Sequence, residues 1–458
     1  MTHYDLAVIG TGSGNTIVTK RFKDWRVAII EEGLFGGTCV NVGCIPTKMF
    51  VYPADLARLA RQAPRHGVDT SFDGARWPDV RDRVFGRIDP MSAGGAAYRR
   101  RLPNIDLYEA HCTFVDDHTL AVHAEDGTAD RQITADQIVI AAGGRVNVAD
   151  IPGLDDVDFH TSDTVMRLDA LPRRMTIVGA GYVAAEFAHI FSSLGTAVTQ
   201  VARGPRLLKR HDEEISRVFS EVAARQWEVR LDTEITRVQQ HDGTTTQSLS
   251  DGTELETDVL LMATGRLPNS DRLGLENTSV EVRDQRIVVD DHQRTTAPGV
   301  WAMGDISSEW RLKHVANHEA HTIQHNLLFP DDLVASDHRH VPSAVFTSPQ
   351  VASVGLTSQA AREQGIEHRT AVHDYADIAY GWAMESPPGE QLVKLLATPD
   401  GEHLLGAHII GPQASLLLQP LVQAISLGTP IARMARNQYW IHPSMAEVVE
   451  NALLKLVD

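Results

Sequence analysis

The chain opens on an apolar run, Tyr4-Asp-Leu-Ala-Val-Ile9, that stops at Gly10. A short apolar run ended by glycine reads as a buried strand. Gly10-Thr-Gly12-Ser-Gly14-Asn15 follows, then a stretch read as helical, then a second apolar run over 27–30. Strand, turn, helix and strand in that order make a βαβ unit. The order returns with a strand at 175–178, Gly179-Ala-Gly181-Tyr-Val-Ala184, a helix through Glu186 to Leu194, and a strand at 197–201. Further apolar strands run into Ala141-Ala-Gly143-Gly-Arg145, Ala263-Thr-Gly265-Arg266 and Val300-Trp-Ala-Met-Gly-Asp305. From about Pro342 the pattern alternates as antiparallel strands at 344–354, 390–397 and 404–410, and helices close the chain. The expected fold is α/β: two Rossmann-like dinucleotide-binding domains and an α+β C-terminal domain, with segments 1–149, 150–270, 271–337 and 338–458.

Each glycine turn implies a chemistry. Gly10, Gly12 and Gly14 let a pyrophosphate approach the backbone at a helix N-terminus, whose dipole favours anions. Glu31, 21 positions past Gly10, stands where a carboxylate can accept from both ribose hydroxyls, which favours an unphosphorylated adenosine half such as that of FAD. The alternative for Glu31 and Glu32 is a solvated strand end. Asn15 replaces the third glycine, so packing there must tolerate a side chain. In the second unit, with Gly179, Gly181 and Ala184, the strand ends on Ala202 where an NAD ribose would want a carboxylate. Arg203, Arg206, Lys209 and Arg210 crowd the next loop and suit the 2'-phosphate of NADPH, although a solvated basic loop has the same composition.

Composition narrows the classes. At 458 residues and a formal charge of −18 the chain expects several cores and repels phosphate backbones and anionic lipid, so no nucleic-acid or membrane partner is expected. The basic cluster Arg99-Arg100-Arg101 reads as solvated surface. No apolar run approaches a membrane span and no signal-peptide pattern precedes the first strand, so the expected location is cytoplasmic. Three cysteines cannot be a secreted disulfide framework.

Two of those cysteines lie in Gly36-Gly-Thr38-Cys39-Val-Asn-Val-Gly-Cys44-Ile-Pro46-Thr-Lys48. Residues five apart on an ideal helix have Cα atoms about 8 to 9 Å apart, beyond the ~7 Å reach of a disulfide. The backbone must therefore distort near Val42-Gly43 if the sulfurs are to bond, and a strained, accessible disulfide is easily reduced. Pro46 suits the first turn of a helix and places Cys44 at its positive end, where a thiol loses its proton more readily. Two buried free thiols, or half of a metal site, are the alternatives; no further cysteine-rich segment supplies other ligands, and no metal is expected. Cys112 reads as a small core residue. Near the C-terminus, His442 precedes a proline and Glu447 follows five later: an imidazole able to shuttle a proton, with a carboxylate to fix its tautomer.

In this order the motifs resemble, over essentially the whole chain, the FAD-dependent pyridine nucleotide-disulfide oxidoreductases of the glutathione reductase and lipoamide dehydrogenase class. The resemblance implies that 1–149 binds FAD, 150–270 binds NADPH, 271–337 returns to the flavin and 338–458 forms a homodimer. It implies a redox-active Cys39–Cys44 disulfide, with Cys44 facing the flavin and Cys39 attacking substrate. Lys48 and Glu186 match the ion pair near the flavin; without the family they would be two unrelated helix charges. Asp305 matches the residue at the ribityl chain, and Thr38, Gly143 and Gly265 join the cofactor-binding positions. His442 with Glu447 matches the acid/base pair lent by the partner subunit, so the active sites would be shared. The chain has no cysteine after His442 and no Cys-x-x-Cys in the second nucleotide segment, which sets aside mercuric and thioredoxin reductases. Two redox cysteines set aside coenzyme A-disulfide reductases and transhydrogenases. The expected activity is NADPH-linked reduction of a low-molecular-weight disulfide. A glutathione-disulfide reductase, or a lipoamide dehydrogenase serving a multienzyme complex, is the alternative.

Overall fold

The computed structural model describes residues 1–123 and 130–457. The chain divides into two compact units, the first of 1–49, 78–147 and 265–338 and the second of 50–77, 148–264 and 339–458.

The first unit is built on a seven-stranded sheet in the order Ile105–Glu109, Val27–Glu31, Thr2–Ile9, Arg131–Ile140, Thr119–His123 and His111–Asp116, with Val300–Ala302 paired to Arg131–Ile140. Thr2–Ile9 runs parallel to both neighbours, Leu6 opposite Val27 and Ile9 opposite Ile140. Both faces are covered, which is why the opening strand reads as a continuous apolar run. Leu6 and Val8 enter a core with Ile17, Phe22 and Ile29, while Ala7 and Ile9 enter one with Ile30 and Phe114. Helix Lys313–Leu328 lays Ala316, Ala320 and Ile323 on the first of these cores.

The crossover after Gly14 is not the helix the sequence leads one to expect. It consists of two three-residue 3-10 turns, Gly14–Thr16 and Lys20–Phe22. The run Thr16-Ile-Val-Thr19 is β-branched throughout, which costs side-chain freedom in a helix, and Ile17 and Phe22 secure the segment by full burial instead.

In the second unit a five-stranded parallel sheet is ordered Glu228–Arg230, Ala197–Val201, Arg174–Val178, Val259–Met262 and His160–Thr161. Helix Tyr182–Leu194 follows the glycine turn as expected. A second five-stranded sheet, antiparallel, is ordered Ser343–Val345, Gln350–Gly355, Leu404–Gly411, Leu392–Ala397 and Arg369–Asp374. Its Arg369–Asp374 strand carries no clean alternation in sequence. Helix Glu447–Val457 buries Val448, Val449, Ala452, Leu453 and Leu456 in the core of this sheet. Residues 50–77 cluster with the second unit although the sequence places them with the first. Phe50 stacks on Trp77 at 5.0 Å, Trp77 meets Phe191 at 5.4 Å, and its Nε1–H donates to the Leu168 carbonyl at 2.7 Å. Among the described residues no helix is long and apolar enough to cross a membrane.

Candidate active site

Cys39 lies in a short helix, Gly37–Asn41, and Cys44 is the first residue of the next, Cys44–Gln62. The helical path breaks between them, Val42 taking φ −140° and ψ 9°. Gly43 permits the break, because a Cβ there would stand 2.9 Å from the Thr38 carbonyl oxygen. The two cysteines are joined by a hydrogen bond that, with burial, pushes the Cys39 thiol up, while Lys313 pulls it down. Adjacent thiols of this kind can close to a disulfide and open again. Cys112 is buried, its thiol pushed up to about 12 by burial with Glu32 adding.

The cysteine segment is docked on the first glycine turn. Gly36 N–H donates to Thr11 Oγ1 at 2.9 Å, and a Cβ on Gly37 would stand 2.9 Å from the Cα of Gly12. Gly10 has φ +101°, and a Cβ there would strike the Ala141 carbonyl. Gly14 is needed because a Cβ would stand 2.6 Å from that of Ala141. Gly12, by contrast, faces open space. Glu31 Oε2 accepts from Thr11 N–H at 2.8 Å and Thr11 Oγ1–H at 2.5 Å, and Oε1 accepts from Gly33 N–H at 2.9 Å. A carboxylate has about four acceptor sites, so the braced group keeps capacity for a ribose hydroxyl. Asn15, in place of the third glycine, is held by Arg99, which donates to its Oδ1 at 2.7 Å and its carbonyl at 2.6 Å. Arg99 is therefore buried, not the solvated residue expected from its cluster.

Around Thr38 the unit gathers a polar corner. Arg266 donates to Thr38 Oγ1 at 3.4 Å and to the Gly144 carbonyl, and its Nε lies 3.9 Å from Asp305 Oδ2. Burial pushes the Asp305 carboxyl up, and Arg266 and Arg311 oppose it. Gly143 and Gly265, both at positive φ, lead into the antiparallel pair Gly144–Val146 and Arg266–Pro268. Lys48 sits one turn into the helix that Cys44 opens.

The second unit holds the other expected positions. Gly179 has φ +145°; a Cβ would strike the Ala263 carbonyl, and Ala184 on the following helix is fully buried. Gly181 faces open space and directly precedes helix Tyr182–Leu194. The basic loop folds back on this turn, Leu208 N–H donating to the Ala180 carbonyl at 2.8 Å. Arg203 and Lys209 are exposed on it, while Arg206 donates to the Glu213 carbonyl at 3.2 Å. Glu186 is buried and accepts from Phe346 N–H at 2.9 Å. His442 Nδ1 meets Glu447 Oε1 at 2.5 Å, and Glu447 Oε2 accepts from Ser444 N–H at 3.1 Å.

Sequence reasoning did not single out Lys313, Ser13, Asn317 or Arg266. Lys313 donates to Ser13 Oγ at 2.7 Å, and Ser13 Oγ–H to Asn317 Oδ1 at 3.0 Å. Positions 13 and 313 are 300 apart, and no local pattern couples them.

Two glycine turns that each follow a strand paired in parallel with both its neighbours, a dithiol docked on one of them and an antiparallel C-terminal sheet define a flavoprotein disulfide reductase fold. The family model of pyridine nucleotide-disulphide oxidoreductases matches residues 4–320, and that of their dimerisation domain matches 341–453. The chain is 50% identical to mycothione reductase of Mycobacterium tuberculosis over 460 aligned residues, covering 100% of both chains. It is 31% identical to glutathione reductase of Burkholderia cepacia, covering 97% of each. Among solved structures, the HOCl-induced flavoprotein disulfide reductase RclA of Escherichia coli superposes with a TM-score of 0.87 at 27% identity, over 99% of this chain and 100% of that one. The chain belongs to the pyridine nucleotide-disulphide oxidoreductase family. It is accordingly an enzyme, a homodimeric flavoprotein that uses FAD and NAD(P)H to reduce a small-molecule disulfide. The open Gly12, with Glu31 and the part-buried Asp305, fits FAD in the first unit, and the open Gly181 ahead of a 13-residue helix fits the nicotinamide coenzyme in the second.

Proposed function

We propose that the enzyme reduces mycothione to mycothiol at the expense of NADPH. The observation that carries this reading is the 50% identity to a mycothione reductase along the entire length of both chains. NADPH over NADH is supported by Ala202 at the strand end and by exposed Arg203 and Lys209 on the loop bonded to Ala180.

Bound FAD and NADPH supply the hydride chemistry that delivers two electrons to the sulfur pair. Gly10, Gly12, Gly14, Glu31, Thr38, Gly143, Gly265 and Asp305 would hold the flavin nucleotide, with Lys48 and Glu186 as the ion pair beside its ring. Gly179, Gly181, Ala184, Arg203 and Lys209 would hold the coenzyme. The Cys39 thiolate attacks one substrate sulfur; the substrate S–S bond breaks, a mixed disulfide forms on Cys39, and the departing thiolate takes a proton from His442 of the partner subunit. The Cys44 thiolate then attacks Cys39 sulfur, the mixed disulfide breaks, and the second thiolate leaves and takes a proton from solvent while the Cys39–Cys44 bond closes. The two electrons of the dithiol end on the two product thiols. Cys44 is assigned to the flavin side, and Cys39 to the substrate side, on the resemblance of the Gly36–Lys48 segment to that of the family.

Steady-state NADPH oxidation with mycothione, oxidised glutathione and lipoamide tests the reading. Mycothione should exceed the other two in kcat/KM by at least roughly a hundredfold, well within the 10⁴- to 10⁵-fold by which a site built on polar contacts can reject a substrate lacking them. Preference for glutathione disulfide or lipoamide would overturn it.

A further inference from the structure

Where a helix follows a nucleotide-binding glycine turn, its positive end meets the phosphates. The second unit has such a helix, Tyr182–Leu194. The first has only the 3-10 turns Gly14–Thr16 and Lys20–Phe22, so that contribution is missing where Gly12 lies open. A side chain from far along the sequence stands at this turn instead. Lys313 opens the 16-residue helix Lys313–Leu328, and its ammonium donates to Ser13 Oγ at 2.7 Å. Asn317, one turn on, accepts the hydrogen of the same hydroxyl at 3.0 Å, which aims the Ser13 lone pairs at the ammonium. Ser13 takes one of the three ammonium hydrogens, leaving two for an anionic ligand. Lys313 is only partly exposed, burial pulling its pKa down and Cys39 and Cys44 raising it. Arg99, a further cation near this turn, is engaged with Asn15.

We propose that Lys313 is the cation of the FAD diphosphate site, standing in for the crossover helix that the first unit lacks. The inference rests on FAD occupying the Gly10–Gly14 turn and is independent of which disulfide is reduced.

Flavin release from the purified holoenzyme, followed as free-flavin fluorescence after dilution across a sodium chloride series, tests it. Wild-type release should increase with salt, because an ammonium–phosphate contact is screened. Lys313→Met should retain FAD about ten- to a hundredfold less tightly at low salt, the scale of a charge-assisted contact, and its release should depend less on salt. Lys313→Arg should return most of the affinity and the salt response. The proposal is overturned if wild-type release is flat with salt, a result that needs no variant to fold. It is equally overturned if Lys313→Met matches wild type in affinity or in salt response, or if Lys313→Arg is as leaky as Lys313→Met. Gly12→Val, which fills the open space of the turn, should abolish retention; if it keeps FAD, the flavin is held elsewhere and the proposal falls with the site beneath it.

Discussion

Glu447 Oε1 stands 2.5 Å from His442 Nδ1, and the carboxylate is 12% exposed while the imidazole is 72% exposed. The carboxylate thus holds one ring nitrogen against the body of the unit, and in the proposed mechanism Nε2 hands the proton to the departing thiolate. Glu447→Gln keeps the shape and removes the charge. It should slow reduction of the disulfide substrate roughly ten- to hundredfold, part of the range typical of a positioned acid, and leave reduction of the enzyme by NADPH nearly unchanged. Rapid-mixing measurement of the two half-reactions separates these; loss in the NADPH half-reaction would contradict the assignment.

Interchange needs both sulfurs, so Cys39→Ser and Cys44→Ser should each abolish disulfide reduction. With Cys44 on the flavin side, reduced Cys39→Ser should keep a long-wavelength absorbance between thiolate and flavin, and Cys44→Ser should lack it. The opposite spectra would exchange the roles of the two residues.

Arg203 and Lys209 lie exposed on the loop that folds onto the second glycine turn. A charge-assisted contact is worth roughly 1.5 to 3 kcal/mol, so replacing both by neutral residues should raise KM for NADPH by at least about tenfold with little change for NADH. An equal rise for both coenzymes would remove them from the phosphate site.

His211 Nδ1 meets Ser353 Oγ at 3.0 Å, close to buried His408 and to the Lys394–Asp212 pair at 2.8 Å. Burial, with His408 adding, pushes the His211 pKa down to about 4. The folded value lies below the ordinary value of about 6.5, so between those pH values the unfolded chain binds a proton that the folded chain refuses. Stability is therefore lost as pH falls through that window, by about 2 kcal/mol at pH 5 from this group. Thermal unfolding between pH 7.5 and 5 should show the decline, and His211→Asn should flatten it. A wild-type midpoint that rises on acidification would contradict the sign.

The parts of the site legible in the sequence are those whose cause is local. Gly10 and Gly179 are dictated by backbone carbonyls that a Cβ would strike, and a distortion at Val42-Gly43 follows from the five-residue spacing once the two sulfurs are required to bond. What was missed depends on contacts distant in sequence. Arg99 looks solvated until Asn15, 84 positions away, folds beneath it, and Lys313 has no local signature because its partner is Ser13. The crossover helix failed for a reason present in the sequence: the β-branched run from Thr16 to Thr19 outweighed the expectation raised by the glycine turn. Residues 50–77 left their expected segment because Trp77 packs on Phe191, a contact no periodicity reveals.

The proposed composite site, Cys39 of one subunit working with His442 of the other, is tested most directly by mixing. Subunits carrying Cys39→Ser are refolded with subunits carrying His442→Ala, and NADPH-driven reduction of mycothione is measured on heterodimers isolated by differential tags. Each heterodimer holds one site with both residues intact and each parent homodimer holds none, so activity should return to about half the wild-type value while both parents remain nearly inactive. Heterodimers that form and stay as inactive as their parents would show that His442 serves its own chain or is not the acid.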